Sequence, residues 1–182
     1  MTAVPDASWL YSLAAAIVIF PPLLLAGSLH LVRQRHLVAV LQVHGWPRAA
    51  ARAGSVVVAV SETVIGAAGV AALVLGASWR VPAVAATLLY LGYALYTGRL
   101  VRAGADVPCG CGTRDHPVTG WVAIRAALYA AASLVAVAAG GTATALDGPT
   151  AALVWASGVV IGVLLWLLPR TLAIPDGAQI GE

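Results

Sequence analysis

Residues Ser55–Trp79, SVVVAVSETVIGAAGVAALVLGASW, decide the fold of this chain. One ionisable side chain, Glu62, interrupts this apolar run. As a helix rising 1.5 Å per residue it would reach about 37 Å, more than the hydrocarbon core of a bilayer. Its apolar residues are continuous rather than alternating, which favours a spanning helix over a strand. Four similar stretches lie around it, at about 9–32, 82–101, 118–139 and 150–168. The whole chain is 61% hydrophobic and 9% charged, with a mean hydropathy of +0.93. Backbone groups within lipid must be satisfied internally, so an all-α integral membrane bundle of five transmembrane helices is predicted. Short connections leave room for one domain only, residues 1–182. Met1–Ser8 has no Arg or Lys and the apolar run after it is long, so the first helix reads as a span and not as a cleaved signal.

Packing signals follow from the same runs. Trp9, Trp79 and Trp121 fall at predicted helix ends, where indole rings suit the headgroup level. Gly158 and Gly162, four apart, suggest close helix contact. Pro21-Pro22 is expected to kink the first helix. Five crossings sort the connections onto two faces. One face collects His30, His36, His44, Cys109, Cys111 and His116, which is every histidine and both cysteines of the chain. The segment 33–54 carries Leu37, Val40, Leu41 and Trp46 among its arginines and reads as an amphipathic segment in the membrane interface.

The chemistry centres on Pro108-Cys109-Gly110-Cys111-Gly112, in the loop 102–117. As a redox centre, the dithiol would exchange through a mixed disulfide. The proline and glycines predict an exposed turn, and Arg102, Arg114 and His116 would lower a thiol pKa. A disulfide closed across one residue is tight, which favours an oxidising, labile bond. As a metal site, Cys109, Cys111 and His116 form a soft ligand set for Cu(I) or Zn(II), though the spacing is not that of common zinc knuckles. As a passive staple, so small a ring restrains almost nothing. Glu62 and Arg125, each about seven residues inside its predicted helix, would sit roughly 10 Å deep and pair with each other. That pair would either fix helix register or serve the chemistry. Tyr90, Tyr93 and Tyr96 share one helix face, suited to packing or to a quinone cleft.

The chain resembles the MauE/DoxX-like redox-associated membrane proteins. The likeness rests on Gly27-Ser28-Leu29-His30, Glu62, the Cys109-Gly110-Cys111 element and Arg125, and covers about Leu23 to Ala139. It departs where family members commonly have Cys-Gly-Cys-Phe-Gly and Arg-Asn, and His30 stands where Lys is frequent. The resemblance implies a four-helix core plus one helix. It also implies an accessory role in maturing methylamine dehydrogenase, whose small subunit is rich in disulfides, with thioredoxin-like partners. On that basis Cys109 and Cys111 are expected to exchange electrons with a thioredoxin-like protein or a disulfide-containing client, as in a thiol-disulfide oxidoreductase. Glu62, Arg125 and His116, or His30, would manage position and protons. The rival expectation is a non-catalytic assembly or chaperone subunit. A quinone is the one candidate cofactor; the lipid bilayer is an expected partner and nucleic acid is not. A multi-pass plasma-membrane protein is expected. Eight of the ten basic residues, all arginines, belong to the cysteine face or its tail, which argues for a cytoplasmic loop. Exported clients argue for an extracytoplasmic one, the side expected here.

Overall fold

The structure, a computed structural model, describes residues 7–110, 117–138 and 148–172, with side chains of the last helix described as far as Leu168. It contains α1 (Ala7–Val32), α2 (Gln34–Val43), α3 (Arg48–Leu75), α4 (Arg80–Arg102), α5 (Gly120–Ala138) and α6 (Gly148–Leu172). All except the short α2 are long and apolar enough to cross a membrane, five spans in all. The chain is an all-α membrane bundle, with no strand among the described residues.

Helix α3 begins at Arg48 and not at Ser55. Arg48–Gly54 reads RAAARAG, rich in the best helix former, and Pro47 precedes it with φ −56, already set for a helix start. At the other end Gly76 adopts φ +67 and closes the helix with its N–H on the Ala72 carbonyl, a left-handed cap that glycine makes at no steric cost.

The core is built around α1, whose Ala16, Ile17, Ile19 and Phe20 are fully buried, and which packs against α3, α5 and α6. Lipid-facing apolar surface gives helices no reason to associate, so close backbone packing must do so. A Cβ at Gly66 would lie 2.5 Å from the Leu24 backbone nitrogen, and one at Gly27 would lie 2.5 Å from that of Thr63. The antiparallel register set by these contacts leaves the first turns of α3 extending past the end of α1. There α2 packs on them, with Leu41 and Trp46 beside Gly54.

Gly158 and Gly162 do mark a helix contact, α6 against Ile17 and the Val18 carbonyl of α1. Helix α1 runs unbroken through Pro21 and Pro22. Pro22 has no N–H to give the Val18 carbonyl; Gly162 is the residue that approaches it.

Two of the three tryptophans are not interface anchors. Trp79 is fully buried and its indole N–H reaches Ser12 Oγ and the Ala136 carbonyl, each at 3.3 Å. Trp9 is buried beside it in the core, while Trp121 stays exposed. A buried indole needs a partner for its N–H, and Ser12 with the Ala136 carbonyl supplies one.

Candidate functional site

The cysteine loop is pinched at its base. Pro108 and Pro117 form an antiparallel bridge, and the Val118 N–H donates to the Val107 carbonyl at 2.8 Å. Cys109 is half-buried, and Gly110 is buried at φ +69 with its backbone against Val40 of α2. An added Cβ would stand 2.9 Å from Val40 Cγ1, so both dihedral and space call for glycine. Gly110 is thus tucked against α2 and Cys109 is half-covered, while Arg102, Ala103, Gly104 and Asp106 of the same loop are exposed. Cys111, Arg114 and His116 lie outside the described residues. The metal alternative, which needs Cys111 and His116, therefore lies there too, and no group of three His, Cys, Asp or Glu suited to a metal occurs among the described residues.

Cys109 lines a cavity of about 350 Å³. All six helices contribute to its walls, and most lining residues are apolar or aromatic. The buried residues of α2, Leu37, Val40 and Leu41, all face it. The amphipathic stripe of this segment is thus turned onto the protein, while Arg33, Arg35, Arg48 and Arg52 remain exposed.

Glu62, 3% exposed, is the acidic group of this cavity. Tyr93 donates its hydroxyl to Oε1 at 2.8 Å, and His30 Nδ1 meets Oε2 at 2.6 Å. Glu62 is therefore held by His30 and Tyr93, and the expected pairing with Arg125 does not form. Arg125 lines the same cavity but gives Nη1 to the Trp166 carbonyl at 3.3 Å. His30 and Tyr93 occupy both carboxylate oxygens instead. Counted from the observed helix starts at Arg48 and Gly120, Glu62 is about 21 Å along α3 and Arg125 about 8 Å along α5. The equal depth expected from the sequence rested on a start at Ser55.

All three tyrosines of the α4 stripe line the cavity, each in a different role. Tyr90 stacks on Tyr129 with ring centroids 4.9 Å apart, and Tyr93 serves Glu62. Tyr96 accepts from the Trp46 indole at 3.2 Å and lies 2.8 Å from His44 Nδ1. His44 Nε2 lies 2.8 Å from the Pro108 carbonyl. A carbonyl only accepts, so Nε2 carries the hydrogen of that bond. This chain of hydrogen bonds runs from the α2–α3 turn through α4 to the peptide that precedes Cys109.

The arrangement can do two things chemically. The Glu62, His30 and Tyr93 cluster can hold and pass a proton within an apolar enclosure. Cys109 can meet an occupant of the cavity from its wall. Tyr129 and Trp166 were not singled out by the sequence, and His44 and Trp46 were read only as a histidine of the cysteine face and an apolar residue of the interfacial segment. For His44 and Trp46 the visible signal of a further role was His44-Gly45-Trp46-Pro47, a histidine inside a turn-forming run.

No curated protein and no solved structure matches the chain. Residues 7–140, from the start of α1 past the end of α5, match the family described as methylamine utilisation protein MauE. The matched region contains the cysteine loop and every cavity-lining residue except Trp166 of α6. The chain is a multi-pass membrane protein that belongs to the MauE family.

Proposed function

We propose that this protein is a membrane thiol-disulfide redox protein. Its Cys109-Gly110-Cys111 dithiol exchanges electrons with a thioredoxin-like partner or a disulfide-containing client and so assists the maturation of exported or membrane proteins. Family membership suggests an accessory role in methylamine dehydrogenase maturation. The observation that carries the reading is that Cys109 shares one cavity with the cluster of the buried Glu62 and the half-buried His30 and Tyr93. Thiol oxidation releases protons and disulfide reduction consumes them, and a carboxylate–imidazole pair is suited to such traffic. The loop is taken to face the extracytoplasmic side, where disulfides persist.

Two experiments test this. The double variant Cys109→Ser, Cys111→Ser is expected to abolish client maturation. Client matured at the normal rate would instead favour a scaffold that merely recruits partners. In intact cells, a membrane-impermeant maleimide is expected to label the cysteines after mild reduction. Labelling only in permeabilised cells would put the loop in the cytoplasm, as the arginine distribution argues.

A further inference from the structure

The cavity has one polar group that the bundle leaves without a task. Tyr90 is 7% exposed and lines the cavity, and its hydroxyl has no hydrogen-bond partner among the described residues. Its ring is held face to face by Tyr129 and edge-on by Tyr93, at 6.2 Å. A hydroxyl that opens into a cavity and has no acceptor among the described residues is placed to donate to an occupant. The mostly apolar walls require that occupant to be mostly apolar, and its size must suit a small ring system. Tyr90 and the Arg125 guanidinium are both donors, so it should carry acceptor oxygens. Both Glu62 oxygens already accept from Tyr93 and His30. Flat aromatic faces favour a flat ring.

We propose that the cavity binds a lipid-soluble quinone and that this quinone oxidises the Cys109–Cys111 dithiol. The proposal rests on the thiol-redox reading above and names the electron acceptor for it. In the step, two S–H bonds break and one S–S bond forms, which releases two electrons and two protons. The two quinone carbonyls take up both and become the hydroquinone. A disulfide closed across a single residue is strained and oxidising, so only a comparably oxidising acceptor can regenerate it. The dithiol is then recharged within the membrane and spent on the client outside the bundle.

The test uses the full chain in lipid nanodiscs, reduced and kept anaerobic, with decylubiquinone and 2,3-dimethyl-1,4-naphthoquinone as probes. One hydroquinone is expected per dithiol lost, by absorbance and thiol titration. The Cys109→Ser, Cys111→Ser variant is expected to bind quinone, by quenching of tryptophan fluorescence, without reducing it. Tyr90→Phe keeps the ring stack and is expected to weaken quinone binding about tenfold. Its disulfide exchange with a thioredoxin should be unchanged, and Tyr11→Phe, exposed on α1, should alter neither. Quinone that does not bind, that binds while the thiols stay reduced, or that binds Tyr90→Phe as well as wild type overturns the proposal. In the first two cases intact exchange with thioredoxin would leave the thiol-redox reading standing. Loss of exchange as well would remove both.

Discussion

Glu62 shows how much one side chain depends on the helices set beside it. As an ionisable residue in an apolar run it was legible at once, and so was Arg125. Their partners were not, because His30 and Tyr93 lie on other helices and no linear pattern joins them to Glu62. Glu62→Ala removes the acceptor that Tyr93 and His30 share, and should cost about 2 kcal/mol. A double-mutant cycle between His30 and Glu62, read from unfolding in detergent micelles, should give a coupling of about 1 kcal/mol or more. The same cycle between Glu62 and Arg125 should give less than about 0.5 kcal/mol. A large coupling in the second cycle would restore the pairing inferred from sequence.

Between helices, small residues set the distances. The Gly158 and Gly162 contact was legible because the two lie four apart on one helix; Gly27 and Gly66 lie on different helices, and nothing in a linear pattern joins them. Gly66→Ala would press a methyl group onto the Leu24 backbone, which cannot rotate away, and should destabilise the bundle by about 2 kcal/mol. Gly92→Ala on α4 meets nothing within 4 Å. It should be neutral or stabilising by up to about 1 kcal/mol, since alanine is the better helix former. Thermal melts of both variants check the contrast. Trp79 illustrates the opposite limit. A tryptophan at a helix end ordinarily suggests the lipid surface, and only the fold reveals Ser12 and the Ala136 carbonyl waiting for its N–H. The short helix α2 holds the cysteine loop through His44. In a Cys111→Ser background, His44→Ala should raise the alkylation rate of Cys109 several-fold, and an unchanged rate would show that the link to the Pro108 carbonyl does not restrain the loop.

At the scale of the whole molecule, composition alone announced a membrane bundle, because nothing but lipid accommodates five such apolar runs. The cavity was beyond reach of that reasoning. Its walls draw on six helices and a turn, and each wall residue has an ordinary packing explanation until the others are set beside it. The exposed arginines Arg33, Arg35, Arg48, Arg52, Arg99 and Arg102 gather at the end of the bundle that carries the cysteine loop. Inside that basic rim, Cys109 stands half-covered in the cavity wall with Gly110 pressed to Val40. On the proposed chemistry one dithiol serves both reactants, and each must find it in the state the other leaves. The steady state is then ping-pong. Double-reciprocal plots against client at several quinone concentrations should give parallel lines, whereas intersecting lines would mean that both reactants are bound together.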